Sequence, residues 1–209
     1  LMFLLGFLDD LFDLSPYVKL IGQFLAATVA FGLGVSIVAL DLPGSLLLLL
    51  GALSFPITAM WLVGLSNALN FIDGIDGLAG GVSTLAALTL VVVALFTCQS
   101  DAVLLASLLA GSCLGFLVYN LNPARIFMGD GGALFIGFTL ASIAVVGVLK
   151  TYTVTLLAPI LVLCVPVADI TYSTFRRLLR GKNPMIADAD HLHHRLLRAG
   201  FSPRTTVLT

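Results

Sequence analysis

Residues Asn67 to Gly77 read N-A-L-N-F-I-D-G-I-D-G between long runs of Leu, Val and Ala. Asn67, Asn70, Asp73 and Asp76 recur at intervals of three, so any helical turn here presents neighbouring members to one side. Gly74 and Gly77 each follow an Asp and leave room for a ligand to approach the backbone. A polar turn would account for the hydrophilicity but not for the spacing. Three other segments carry chemistry. D-D-L-F-D, at 9–13, places Asp9 beside Asp10 with Asp13 following. Adjacent carboxylates repel unless a positive group is near, which suits a metal site or an acid–base role. N-P-A-R at 122–125 leads into F-M-G-D-G-G at 127–132, where amides freed by glycines at a helix start favour an anion, and Asp130 can hold a hard cation against that anion's oxygens. The tail contains A-D-A-D-H-L-H-H-R, with Asp188, Asp190, His191, His193 and His194 clustered.

Together these residues offer carboxylates for a hard metal and Arg, Lys and His for phosphates, with no Ser or Cys nucleophile beside a base. That is the equipment of phosphoryl transfer, in which positioning and charge neutralisation supply most of the catalysis. Zinc fits less well, because the cysteines lie far off along the chain and the remaining ligands are hard carboxylates suited to Mg²⁺ or Mn²⁺.

The elements that must position them are membrane helices. The chain of 209 residues is 59% hydrophobic and 10% charged, with a mean hydropathy of +1.12, against about 25% charged residues in soluble domains. Apolar runs at Val18–Leu40, Ser45–Leu65, Leu78–Thr97, Ala102–Tyr119, Ala133–Leu149 and Val154–Phe175 are each long enough to cross as a helix. The opening L-M-F-L-L-G-F-L lacks a positive n-region and reads as the end of another span rather than a signal peptide, implying a fragment without its natural N-terminus. The expected fold is therefore a single all-α domain over 1–209, a polytopic bundle of about six spans plus a truncated N-terminal helix.

Successive connections alternate sides, which puts all four polar segments on one face. Nine of the ten Lys and Arg lie there (Lys19, Arg125, Arg176, Arg177, Arg180, Lys182, Arg195, Arg198 and Arg204), and only Lys150 lies opposite. The positive-inside tendency makes the motif face cytoplasmic. A net charge of −1 gives no overall polyanion surface, so no nucleic-acid partner is expected. Cys98, Cys113 and Cys164 have neither metal-like nor disulfide-like spacing and read as packing residues. A cation or proton transporter would also place carboxylates in membrane helices, but along a path between both faces, and the outer connections here are chemically plain.

At these residues the chain resembles the polyprenyl-phosphate N-acetylhexosamine-1-phosphate transferases. D-D-L-F-D, N-A-L-N-F-I-D-G-I-D-G-L-A, N-P-A-R-I-F-M-G-D-G-G and H-L-H-H-R-L follow in the family's order and cover essentially the whole chain. The resemblance implies transfer of a sugar 1-phosphate from a UDP-sugar to undecaprenyl phosphate, with Mg²⁺ (Mn²⁺ as alternative) and release of UMP. It implies a site facing the cytoplasm in the bacterial inner membrane, with a homodimer as an open option. Family members have about ten or eleven membrane helices, so the first two and most of the third would be missing here. The branch acting on UDP-N-acetylmuramoyl-pentapeptide has a Lys where this chain has Asp13, and three successive His where it has His191-Leu192-His193-His194. P-V-A-D-I-T-Y-S-T-F-R-R, from Pro166 to Arg177, is similar to the branch using UDP-N-acetylglucosamine, which starts wall teichoic acid, O-antigen or related glycans. Carried over, the resemblance makes Asp130 the metal ligand with Asn70 beside it. Asp9 binds or deprotonates the lipid phosphate, with Asp10 next to it, and Asp73 and Asp76, with Asn67 and Asn70, shape the nucleotide-sugar site. Phe127 stacks on uracil, Lys19 and Arg125 bind substrate phosphate, His191 and His193 contact phosphate or sugar, and His194 joins the catalytic set.

Overall fold

The computed structural model describes residues 1–42 and 46–148. The run Val154–Phe175 and the histidine-bearing tail lie outside the described residues. Six α-helices carry the fold: α1 (Met2–Phe12), α2 (Pro16–Gly32), α3 (Ser54–Ile72), α4 (Leu78–Phe96), α5 (Ser100–Asn120) and α6 (Gly129–Ile143), the last continuing as a π-helical turn over Ala144–Val148.

Several expected spans have different bounds: α3 runs on to Ile72, past Leu65, and α6 begins at Gly129 rather than Ala133. The helix foreseen over Val18–Leu40 starts earlier, at Pro16 behind the N-cap Ser15, and stops at Gly32. The stop is a Schellman motif: Gly34 takes φ 98°, Val35 N–H donates to the Ala30 carbonyl and Gly34 N–H to that of Phe31. The run foreseen as helical from Ser45 instead opens as a strand. β1 (Ala39–Leu42) and β2 (Leu46–Leu49) form an antiparallel hairpin with Ala39 opposite Leu49, so the described chain is not purely helical. A short Leu-rich run fits either a buried strand or a helix, and periodicity does not separate them. The chain entering the hairpin is tied to the start of α3, where Thr58 Oγ1 accepts from Ile37 N–H and Ser54 donates to the Ile37 carbonyl.

Four segments are long and apolar enough to cross a membrane: Gly51–Ile72, Leu78–Phe96, Ser100–Asn120 and Gly129–Gly147. α2, with 17 residues, is shorter. The chain is a multi-pass, helical membrane protein. Its helices meet through small residues, as packing in lipid requires. Ala86, Ala87 and Ala94 of α4 share a buried cluster with Ala102, Ala106, Ala110 and Cys113 of α5. A Cβ on Gly137 of α6 would stand 2.7 Å from Cα of Ser66 on α3, and Trp61 braces the same pair by donating to the Ala141 carbonyl at 3.2 Å. Leu85, Leu88, Val92, Leu104, Leu105 and Leu108 point outward, as a lipid-facing surface does. Cys113 is a buried packing residue as expected, whereas Cys98 is exposed in the α4–α5 turn; both are free thiols.

Candidate active site

The helix ends that carry polar residues converge. α1 closes on Asp13, whose left-handed backbone (φ 50°) turns the chain toward α2, while Leu14 N–H donates to Asp9 Oδ1 at 2.9 Å. Lys19, on the first turn of α2, lies 2.7 Å from Asp9 Oδ2, touches Asp130 Oδ2 and donates to Asn70 Oδ1 at 3.3 Å. Asn70, near the end of α3, gives its amide hydrogen to Asp130 Oδ1 at 2.8 Å. Residues from α1, α2, α3 and α6 thus form one ammonium-centred quartet: Asp9, Lys19, Asn70 and Asp130. Lys19 and Asp9 are well shielded, with side chains 15% and 11% exposed, and Asp130 is more open at 34%.

Asp10 faces elsewhere. Its carboxylate accepts the backbone N–H of Asp130 at 2.9 Å and of Gly131 at 3.0 Å. In this structure the anion that the glycine-freed amides of α6 favour is supplied by the chain itself. Gly129 has φ 66°, and a Cβ there would stand 2.9 Å from Asp10 Oδ2. Glycine is needed for both reasons.

Beside the quartet lies a pocket of about 230 Å³ whose lining includes Asp73, Asp76, Asn120, Phe127 and Asp130. Asp73 follows the last residue of α3. Burial, reinforced by the charges of Asp130 and Asp10 and opposed by a hydrogen bond from Gly129, pushes its carboxyl up to about 7. Asp76 accepts from Asn122 Nδ2 at 3.1 Å and from Ala124 N–H at 3.0 Å, fastening the loop before α6. Asn120 does similar work from the end of α5. It accepts from Gly77 N–H at 2.9 Å and donates to the Ile126 carbonyl at 2.9 Å, while itself 3% exposed. A larger cavity of about 480 Å³ at the opposite end of α4 and α5 is lined mainly by apolar residues and carries no carboxylate.

Of the foreseen residues, Asp9, Lys19, Asn70 and Asp130 meet directly, and Asp73, Asp76 and Phe127 line the adjoining pocket. Phe127 is 77% exposed at the rim. Arg125 is exposed, its backbone N–H donating to the Tyr119 carbonyl. Asn67 is engaged away from the pocket with Gln23 of α2. His191, His193 and His194 lie outside the described residues. Gln23 and Asn120 were not singled out from the sequence; the available signal was a lone amide four residues after Lys19, and a polar terminus on an apolar helix.

No group of three or more His, Cys, Asp or Glu that could hold a metal forms among the described residues. A magnesium ion asks for less, since it keeps several waters and takes one or two carboxylates plus phosphate oxygens. The pocket's carboxylates, Asp73, Asp76 and Asp130, are donors of the type such an ion takes.

Apolar helices whose polar ends gather around a carboxylate-lined pocket define a class: polytopic membrane proteins with a polar site at one end of the bundle. Residues 1–148 match the model of glycosyl transferase family 4, and the chain belongs to that family. It is 39% identical, over its whole length, to a probable undecaprenyl-phosphate N-acetylglucosaminyl 1-phosphate transferase of Bacillus subtilis, covering 59% of that protein. It is 36% identical, again over its whole length, to a decaprenyl-phosphate N-acetylglucosaminephosphotransferase of Mycolicibacterium smegmatis, covering 57%. Over 96% of the chain it is 29% identical to the undecaprenyl-phosphate alpha-N-acetylglucosaminyl 1-phosphate transferase of Escherichia coli K12, covering 56%. The chain thus spans less than three fifths of the length of these relatives.

Proposed function

We propose that the chain forms the catalytic part of a membrane enzyme that moves N-acetylglucosamine 1-phosphate from UDP-N-acetylglucosamine to undecaprenyl phosphate. The products are undecaprenyl-diphospho-N-acetylglucosamine and UMP, and the site faces the cytoplasm in the bacterial inner membrane. The observation that carries this reading is the Asp9–Lys19–Asn70–Asp130 quartet opening onto a carboxylate-lined pocket at the ends of membrane helices. The named activities of the relatives agree with it.

In this reaction an oxygen of the lipid phosphate attacks the sugar-bearing phosphorus of the donor. The bond from that phosphorus to the bridging oxygen breaks, and its electron pair leaves with UMP. Two aligned substrates suffice, so no covalent enzyme intermediate is needed. The Lys19 ammonium offers positive charge to the lipid phosphate, and Asp9 beside it accepts a proton where that phosphate enters as its monoanion. Asp73 and Asp130 would hold Mg²⁺, which when bound neutralises diphosphate charge. Asp76, by fastening the 122–124 backbone, keeps Phe127 at the pocket rim, where a uracil ring can stack.

The test is exchange of radiolabelled UMP into UDP-N-acetylglucosamine by the purified protein in liposomes with undecaprenyl phosphate and Mg²⁺. Exchange is expected, with loss on Asp130→Asn. No exchange by folded protein would sink the reading, and exchange into UDP-N-acetylmuramoyl-pentapeptide alone would move the chain to the peptidoglycan branch. Ion flux without nucleotide would favour a transporter instead.

A further inference from the structure

Gln23 is completely buried on α2, within a run that is otherwise apolar from Leu20 to Ala27. Its side chain and that of Asn67 on α3 form a reciprocal amide pair. Gln23 Nε2 donates to Asn67 Oδ1 at 3.1 Å, and Asn67 Nδ2 donates to Gln23 Oε1 at 2.6 Å and to the Val63 carbonyl of its own helix at 2.8 Å. Neither residue lines the pocket. A buried amide in a membrane helix is costly when unpaired and adds only modestly to stability when paired, so two apolar side chains would serve packing as well. Its distinguishing property is direction. The pair is satisfied in only one mutual rotation and register of α2 and α3.

That register sets the site. Gln23 stands four residues after Lys19 on α2, and Asn67 three residues before Asn70 on α3. Each pair therefore shares one helix face. The helices contact each other by two polar rungs, Gln23–Asn67 deeper in the bundle and Lys19–Asn70 one turn nearer the pocket. The second rung is a lysine amine on an amide oxygen at 3.3 Å, weak by itself and shared with two carboxylates. We infer that the Gln23–Asn67 amide pair is a positioning clamp that fixes α2 against α3, so that Lys19 and Asn70 reach Asp130 together. On this view Asn67 acts through Lys19 and Asn70 rather than by touching the nucleotide sugar. The inference rests on the transferase reading for its kinetic consequence, but not for its structural one.

The experiment uses the protein in liposomes with three changes: Gln23→Met, which keeps length and removes the amide, Asn67→Leu, and the exchanged pair Gln23→Asn with Asn67→Gln. Misplacement of this kind costs about 100-fold in turnover, so Gln23→Met should lower kcat by roughly that factor with KM for the nucleotide sugar held within about threefold. In a Lys19→Ala background the same change should cost clearly less than in the parent, by at least about threefold, because one of the two groups it places is already gone. An equal penalty in both backgrounds overturns the clamp and leaves a merely structural residue. The exchanged pair should recover at least about a tenth of kcat, and failure to recover more than either single change also counts against it. A second readout needs no turnover: the rate at which an amine-reactive reagent acylates Lys19, followed by peptide mass spectrometry. It should rise several-fold in Gln23→Met while the thermal midpoint shows the protein folded. An unchanged rate in folded protein overturns the inference even if the transferase assay succeeds, and a raised rate upholds it even if the sugar donor proves to be different.

Discussion

Asp10 and Asp130, 120 positions apart in sequence, are joined through the backbone: Asp10 Oδ1 accepts the amide hydrogen of Asp130 at 2.9 Å while its other oxygen takes that of Gly131. The neighbouring Asp9 points instead to Lys19. Two adjacent carboxylates of one motif thus make separate contacts, one with the Lys19 ammonium and one as the cap that seats α6. Asp10→Ala should lower stability by about 1–2 kcal/mol, a typical cost for losing an N-terminal cap with its charge, and Asp10→Asn by less. Thermal midpoints in detergent check this, and an Asp10→Ala protein as stable as the parent would remove the cap from the argument.

Gly6 sits one turn before Asp10 on the same face of α1. A Cβ there would stand 2.6 Å from Cα of Gly131 and closer still to the Asp130 carbonyl, against backbone that cannot swing aside. At Gly22 the corresponding contact, 2.7 Å, is with the flexible end of the Leu5 side chain. Gly6→Ala should therefore destabilise by about 1–3 kcal/mol, in the range of overpacked cores, and clearly more than Gly22→Ala. Equal melting shifts for the two substitutions would contradict this ranking.

The Asp73 carboxyl, pushed up to about 7 by burial and by Asp130 and Asp10, gives a pH dependence with a definite sign. Between its ordinary value of 3.8 and about 7, the folded protein keeps a proton that the unfolded chain has released. Stability contributed by this group is thus present at low pH and lost as pH rises through that window. Asp73→Asn, which cannot ionise, should flatten this part of the profile. Unfolding midpoints of both proteins from pH 4 to 8 without divalent cations are the measurement, and parallel curves would refute the assignment.

Lys19 supplies the ammonium shared by Asp9 and Asp130. On the proposed function, Lys19→Met removes a positive charge that would compete with a divalent ion for Asp130. Mn²⁺ affinity, read by paramagnetic resonance on the purified protein, should tighten by about tenfold, or ~1.4 kcal/mol, while turnover falls. Weaker Mn²⁺ binding in the variant would mean that the lysine does not compete for that carboxylate.

Much of this arrangement was legible because lipid leaves few options. Long apolar runs gave α4 and α5 nearly to the residue, and alternation of sides gathered Asp9, Asn70, Asp76 and Asp130 on one face before any coordinates. The hairpin at 39–49 was not legible, since its leucines satisfy a helix as readily as a strand when only hydropathy is counted. The Asp9–Lys19 pair was not legible, because separation along the chain says nothing of a shared site; only the turn at Asp13 and Ser15 brings them together. The contact of Asp10 with the start of α6 was not legible, because a carboxylate that caps another helix leaves no local mark. Gln23 was overlooked for a related reason, as one amide in an apolar helix has no pattern until its partner is known.

Among the described residues, the pocket and the cluster behind it hold five carboxyl groups, those of Asp9, Asp10, Asp73, Asp76 and Asp130, and one ammonium, that of Lys19. Even with the Asp73 carboxyl keeping its proton up to about pH 7, the remaining carboxylates outnumber the ammonium, a balance that disfavours a bare diphosphate before any shape is compared. On the proposed function, such a wall favours a donor that arrives already neutralised by a counter-ion over a naked one. In that reading the first discrimination at this end of the bundle is a threshold of charge, and it would shift with the ionic composition of the water above the membrane.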